Sequence, residues 1–137
     1  MTDFNILRKR YSEVLCGRGH SGKRTADCIL RSDERTEQRL AQLDTRIEKA
    51  ITSNEPGIVN ATLKGILDIS TSFSQNNSRF YHDENIKNKI FNALNALEKV
   101  YNDTIAPQGN WWYWEIGIPL SLNSIFTLMS VSYTHLR

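Results

Sequence analysis

Apolar residues recur along this chain at intervals of three and four positions, the spacing that lines one face of an α-helix. The first run predicts a helix that ends near Gly17, with its apolar face formed by Phe4, Leu7, Tyr11, Val14 and Leu15. The second run predicts a helix that Ser32 or Asp33 caps and that ends before Pro56, because proline disfavours helix at the preceding residue. Its buried positions are expected to be Leu40, Leu43, Ile47 and Ile51.

Three further runs follow in the second half of the chain. The third helix is expected to bury Val59, Leu63, Ile66, Ile69 and Phe73. The fourth opens at Asp83 and is expected to bury Ile86, Ile90, Leu94, Leu97 and Tyr101. Pro119 suits the first position of a fifth helix, whose apolar residues are Leu122, Ile125, Phe126 and Met129. Because the connections are short and no strand pattern occurs, the sequence predicts an all-α fold of antiparallel helical hairpins.

Composition narrows the class of protein. The hydrophobic share of 39% and the charged share of 23% are ordinary for a globular protein, and a net charge of +2 is too small to identify a partner. No run reaches the roughly 18 apolar residues of a membrane helix, and the first residues do not read as a signal peptide, so no membrane partner is expected. Cys16 and Cys28 lack metal-binding spacing, so neither a metal nor another cofactor is expected.

Four aromatic residues follow one another directly: Trp111, Trp112, Tyr113 and Trp114. Consecutive helical residues point about 100° apart, so these rings cannot all face one core, and at least one or two must contact something else. One interpretation is that Trp114 and Ile116, together with Tyr113, wedge between helices while the other rings cover a loop. The other is a sugar-binding platform, because the apolar face of a sugar ring stacks on indole and Asn110 offers an amide beside it.

The segment NWWYWEIGIP, residues 110–119, resembles the NWW-x-[YW]-E-I-G-x-P signature of polysaccharide lyase family 8, which includes hyaluronate, chondroitin and xanthan lyases. The opening TDFNILRKRYSEVLCG resembles the D-F-x-x-L-R-x-R-[WY]-x-x-x-L-x-G start of that family's catalytic domain, with Cys16 where threonine is common. Leu120 departs from the pattern, because many members have arginine directly after the proline. The resemblance spans residues 2 to about 129 and is strongest at its two ends.

This resemblance implies an (α/α) toroid whose cleft binds an acidic polysaccharide in an extracellular protein. It implies that Trp111 and Trp112 form the aromatic patch that orients the sugar chain, with Asn110 as their polar neighbour. Gly117 and Pro119 are then structural residues of the turn into the fifth helix. Glu115 is expected to cap or anchor that turn and not to act as a base.

Lyases of this family cleave uronic-acid-containing polysaccharide by β-elimination, using an asparagine that neutralises the uronic carboxylate and a tyrosine and a histidine that transfer protons. The resemblance places those residues beyond residue 137, so we expect no catalytic residue here and little or no lyase activity from this chain alone. His20 and His82 are expected to be ordinary surface residues. Residues 1–130 are therefore interpreted as the N-terminal part of a lyase α-helical domain, separated from the C-terminal part of that domain.

The last residues, SVSYTHLR, show no helical register, and VSYTHLR resembles the translation of a sequencing adapter. We predict that they interrupt the fifth helix and that residues 131–137 are a foreign tail. His135 and Arg137 then carry no function.

Two other functions remain open. A non-catalytic helical module would use the tryptophans to bind a glycan or a protein. Nucleic-acid binding is suggested by basic residues near the start of the chain, namely Arg8, Lys9, Arg10, Arg18, Lys23 and Arg24. The acidic second helix and the small net charge argue against a nucleic-acid partner.

Overall fold

The computed structural model describes residues 5–10, 23–102, 104–105 and 109–135, with side chains described at 5–10 and, within the other ranges, from 27 to 130. This part of the chain is helical and contains no strand, which confirms the predicted all-α fold. Residues 5–10 form a short helix, α1. It is followed by α2 (Lys23–Ser53), α3 (Pro56–Ser74), α4 (Glu84–Leu97) and α5 (Ile118–His135), with a π-helical turn over Tyr113–Gly117 directly before α5.

The central helix, α3, follows the predicted apolar pattern. Pro56 is its first residue, and α2 ends at Ser53, as the proline predicts. Asn54 between the two helices has a φ of 55°, in the left-handed region that asparagine tolerates better than most residues. The five predicted core positions, Val59, Leu63, Ile66, Ile69 and Phe73, are all at most 3% exposed. Their burial fixes the face that α3 turns towards its neighbours.

One buried cluster joins the helices around α3, which contacts α2, α4, α5 and the π-helical turn. The cluster draws Leu43 and Ala50 from α2, Ile86, Ile90 and Leu97 from α4, and Ile118, Ile125 and Met129 from α5. The predicted positions Leu40, Ile47, Ile51 and Leu94 are partly buried against it. Because only two residues link α2 to α3, the chain reverses and the two helices pack side by side.

The start of α2 differs from the prediction. The helix begins at Lys23, so neither Ser32 nor Asp33 caps it. The Asp33 carboxylate, 5% exposed, instead accepts hydrogen bonds from the Ser78 hydroxyl at 2.5 Å and the Arg79 backbone N–H at 3.2 Å. Both donors belong to the loop after α3, so Asp33 fastens α2 to that loop.

The start of α4 agrees with the prediction. Asp83 precedes the helix, and its Oδ1 accepts a hydrogen bond from the backbone N–H of Asn85 at 2.9 Å, as a capping aspartate does. Tyr101 lies beyond the last helical residue and is half-buried, so it belongs to the loop that leads towards the aromatic residues.

The predicted start of the fifth helix is wrong, because the backbone is already helical at Trp111 and Trp112 and continues through the π-helical turn into α5. Pro119 is thus inside a continuous helical stretch. Its missing N–H and its ring conflict with a regular α-helix, and the wider turn directly before it relieves that conflict. Ile125 and Met129 are buried as expected and Leu122 is half-buried, whereas Phe126 is 52% exposed.

The prediction that SVSYTHLR interrupts the fifth helix is also wrong, because α5 continues to His135. β-Branched residues such as Val131 and Thr134 lower helix propensity only slightly, and extending an existing helix costs less than starting one. Leu136 and Arg137 lie outside the described residues. The foreign origin of residues 131–137 stays a prediction.

The short helix α1 contacts the far end of the chain. The Arg8 guanidinium donates hydrogen bonds to the Ser130 hydroxyl of α5 at 2.9 Å and to Asn5 Oδ1 at 3.0 Å. Arg8, one residue of the basic cluster near the start of the chain, therefore makes hydrogen bonds within the molecule. Leu7, on the predicted apolar face of the first helix, is 63% exposed. The rest of that predicted face lies outside the described residues, namely Phe4, Tyr11, Val14 and Leu15. Cys16, Gly17, Arg18 and His20 also lie outside them.

Candidate functional site

The turn before the aromatic residues fixes where they begin. Gly109 has a φ of 72°, and a Cβ at this position would lie 3.0 Å from Pro56 Cδ, so glycine lets the turn approach the start of α3. Asn110 follows, and its Oδ1 accepts a hydrogen bond from the backbone N–H of Trp112 at 2.9 Å. Asn110 therefore caps the helical stretch that carries the rings.

The four successive rings have different environments. Trp111 is 61% exposed and Trp112 is 42% exposed, whereas Tyr113 is half-buried and Trp114 is only 9% exposed. The structure thus agrees with the expectation that the rings cannot all face one core. The first two form an open indole pair, a name used below for Trp111 and Trp112.

Trp114 is the ring that anchors this stretch to the molecule. Its ring centroid lies 4.8 Å from that of Tyr101, with the planes tilted by 60°, and the Tyr101 hydroxyl donates to the Trp114 backbone carbonyl at 3.0 Å. Burial raises the pKa of Tyr101, because the charged phenolate loses solvation. The phenol therefore stays protonated and remains a donor to the helical turn.

Trp112 rests against its own helical stretch. The edge of one ring meets the face of the other between Trp112 and Tyr113, whose centroids are 5.3 Å apart with planes at 83°. On the Gly117 side, the indole approaches so closely that a Cβ on Gly117 would lie 2.9 Å from Trp112 Cζ3. Tyr113 in turn packs near Gly57 of α3, where a Cβ would lie 3.4 Å from the Tyr113 ring.

The remaining predicted site residues surround this pair. Gly117 is buried and Pro119 is half-buried after the π-helical turn. Glu115 is exposed, and among the described residues no hydrogen bond or ion pair engages its carboxylate, so its role as a cap or anchor stays a prediction. Ile116 and Leu120 are exposed and extend the apolar surface along the helix.

Other chemically active residues lie away from the indole pair. His82 is half-buried, and its ring stacks on Tyr81 with centroids 3.8 Å apart. Cys28 is exposed on α2. No group of three or more potential metal ligands occurs within the described residues. Within the same residues, none of the helices combines the length and apolarity needed to cross a membrane.

Two grooves lie on either side of α4. A groove of about 420 Å³ separates α2 from α4 and is lined largely by apolar side chains such as Leu43, Ile47 and Ala93. A second groove of about 300 Å³ separates α4 from α5 and includes the exposed Phe91 and Phe126. Trp111 and Trp112 line neither groove, so the indole pair is an outward-facing surface.

Comparison with known families accounts for this helical architecture. The sequence model of the N-terminal α-helical domain of polysaccharide lyase family 8 matches residues 26–136. The chain belongs to polysaccharide lyase family 8. The match includes the whole aromatic segment from Asn110 to Pro119, and it confirms the family resemblance predicted from the signature in that segment.

A named relative is similar over most of the chain. A xanthan lyase of Bacillus sp. (strain GL1) is 28% identical over 138 residues, an alignment that covers 93% of this chain. The same alignment covers 15% of the relative, so this chain spans a small part of the length of that protein.

Sequence reasoning overlooked Asn60, a residue that the family 8 signature does not contain. Asn60 is 2% exposed on α3, accepts a hydrogen bond from the Ser121 hydroxyl at 3.2 Å and lies 3.3 Å from the position of a Cβ on Gly117. The sequence signal that could have identified Asn60 is its position directly after Val59, at the edge of the apolar stripe of α3. Buried amides need specific partners, and the partner here is distant in sequence.

Proposed function

We propose that this chain is the sugar-binding N-terminal part of an extracellular polysaccharide lyase, and that Asn110, Trp111 and Trp112 orient the polysaccharide. The observation that carries the proposal is the open indole pair on the family 8 signature, whose two residues are 61% and 42% exposed. In the proposed parent protein the helices continue into an (α/α) toroid whose cleft holds the substrate.

The chemistry of the indole pair suits a carbohydrate. The C–H face of a sugar ring packs on indole, whose ring N–H is a donor for hydroxyl groups. The Asn110 side chain is exposed, and its oxygen is already used by the Trp112 backbone N–H, so its NH₂ group is the part that can donate to a sugar oxygen. Stacking and amide donation together would fix both the plane and the direction of a bound chain.

The proposed reaction is β-elimination at a uronic acid. A base removes the proton at C5, the C4–O bond breaks, the departing oxygen receives a proton, and a C4–C5 double bond forms. The C5 proton becomes acidic enough only if the uronic carboxylate is neutralised, which family resemblance assigns to an asparagine outside this chain, with a tyrosine and a histidine for the proton transfers. We therefore expect this chain to bind polysaccharide without cleaving it.

Family membership supports a proposal for the substrate class. Hyaluronan, chondroitin and xanthan all contain uronic acid, and the relative from Bacillus sp. is named a xanthan lyase. The proposed substrate is a polysaccharide of this acidic class, and no further choice among the three is made.

The proposal is tested by titrating the chain with oligosaccharides of hyaluronan, chondroitin and xanthan while following indole fluorescence, with neutral dextran as the comparison ligand. Trp111→Ala and Trp112→Ala are each expected to raise Kd by about three- to tenfold, the size of one aromatic contact. Phe126→Ala, which removes an exposed aromatic ring elsewhere on α5, is the matched control and should leave Kd unchanged.

Three results would contradict the proposal. Binding that is insensitive to both tryptophan substitutions would exclude the indole pair as the sugar site. Equal binding of dextran and uronate-containing chains would favour the non-catalytic glycan-binding module instead. Formation of ultraviolet-absorbing unsaturated uronide by the chain alone would show that the catalytic groups are present in it.

A further inference from the structure

We propose that Gly117 is a positioning residue for the sugar-binding indole of Trp112, with Asn60 as the fixed wall behind it. The inference rests on the proposed function and adds that Gly117 determines the position of the Trp112 ring. It starts from a close approach: a Cβ on Gly117 would lie 2.9 Å from Trp112 Cζ3 and 3.3 Å from both Cγ and Nδ2 of Asn60. Gly117 thus lies between an exposed indole and a buried amide.

The π-helical turn creates this approach. In an α-helix of 3.6 residues per turn, residues five apart point about 140° away from each other and do not meet. Here the Ile118 N–H donates to the Tyr113 carbonyl, five residues back, and the wider turn brings residue 112 and residue 117 to the same side. The absence of a side chain at Gly117 then lets the indole approach the helix this closely.

The surroundings decide which neighbour would move if a methyl group were added. Asn60 is 2% exposed on the central helix, and its Oδ1 accepts a hydrogen bond from the Ser121 hydroxyl. Trp112 is 42% exposed, so solvent lies on its other side. The Gly117→Ala methyl group is therefore expected to push the indole outwards while Asn60 stays in place.

The first readout needs no sugar. In a Trp111→Phe background, acrylamide reaches mainly Trp112, because Trp114 is 9% exposed. Gly117→Ala is expected to increase the quenching of this fluorescence and to shift its emission to longer wavelength. Gly65→Ala is the matched control, because this helical glycine of α3 meets only the flexible Arg39 and Arg46 side chains, at 3.5 and 3.9 Å.

The second readout is affinity for the uronate oligosaccharide that the wild-type chain binds. Gly117→Ala is expected to raise Kd by about three- to tenfold, the same increase as for Trp112→Ala. In a Trp112→Ala background, Gly117→Ala is expected to cause no further increase in Kd. Trp112→Phe lacks the outer indole ring that contains Cζ3, so Gly117→Ala should be tolerated in that background. Unchanged quenching and Kd in Gly117→Ala would overturn the proposal.

The outcomes separate this inference from the proposed function. If Trp111→Ala and Trp112→Ala both bind sugar like the wild type, the proposed function fails, while the quenching result still tests the positioning. If Gly117→Ala does not fold, recovery of the fold by Trp112→Phe supports the steric conflict with the indole. Failure of that double variant to fold would show that the glycine serves another contact and would overturn the inference.

Discussion

At the scale of single residues, the aromatic stretch shows what a sequence can and cannot predict. The divergence of four consecutive side chains follows from helix geometry alone, so the exposure of some rings was predictable. The sequence did not predict which ring is buried. Trp114 is buried because it packs against Tyr101, in the loop after α4, and because the π-helical turn rotates it towards that loop. The close approach of Trp112 to Gly117 was unpredictable for the same reason.

Tyr101 gives a prediction at this scale. Burial raises its pKa above the ordinary value of 10.0, so the folded chain keeps a proton that the unfolded chain releases at alkaline pH. The folded state then binds more protons, and the free energy of unfolding should fall as the pH rises past about 10, with the contribution fully present below that pH. Urea unfolding at a series of alkaline pH values measures this fall.

Tyr101→Phe is the matched variant for that experiment, because it keeps the ring beside Trp114 and removes the titrating hydroxyl. Its stability should decline less steeply than that of the wild type over the same alkaline range. An identical decline in both proteins would show that other groups cause the alkaline loss.

At the scale of helices, interior positions were predicted well, whereas the start of α2 and both ends of the fifth helix were not. The burial of α3 and the capping of α4 by Asp83 depend on neighbours within the same segment, which the sequence displays directly. Asp33 resembles a cap in sequence, but its carboxylate pairs with Ser78 and Arg79, and this partnership exists only once α3 has folded back on α2. A distant partner therefore overrode a local signal.

This pairing predicts a cost for Asp33→Ala. The substitution leaves the Ser78 hydroxyl and the Arg79 backbone N–H without their acceptor, so the free energy of unfolding should fall by about 1–3 kcal/mol. Asp44→Ala, at an exposed position of α2, is the control and should change the free energy of unfolding by at most about 0.5 kcal/mol. Chemical denaturation of the two variants compares them, and equal effects would refute the tethering role of Asp33.

At the scale of the whole molecule, the position of α3 determines how the helices depend on one another. One buried cluster contains residues from α2, α3, α4 and α5. A substitution that disrupts the packing of α3 is therefore expected to destabilise all four helices. Local periodicity predicted which residues each helix buries. It could not predict that α3 is the shared partner, because the spatial order of similar helices depends on contacts between segments far apart in sequence.

Leu63→Ala tests this dependence. Leu63 is 1% exposed at the centre of α3, and its truncation should lower the free energy of unfolding by about 2–5 kcal/mol. Because the cluster is shared, the loss of helical circular dichroism and the change in Trp114 fluorescence should occur at the same lowered urea concentration. The exposed neighbour variant Lys64→Ala should unfold like the wild type, and a Trp114 transition that stays at the wild-type midpoint in Leu63→Ala would argue against a shared core.

The π-helical turn makes residue count as important as residue identity between Asn110 and Pro119. Ordinary helical winding of the same residues would rotate both tryptophans by about a quarter turn around the axis relative to α5, towards another part of the surface. An insertion in the preceding loop carries no such rotation, because Gly109 and Asn110 restart the helix against Pro56. A relative with one residue fewer between the tryptophans and the proline, and with ordinary winding there, would therefore present its tryptophans in nearly the same direction.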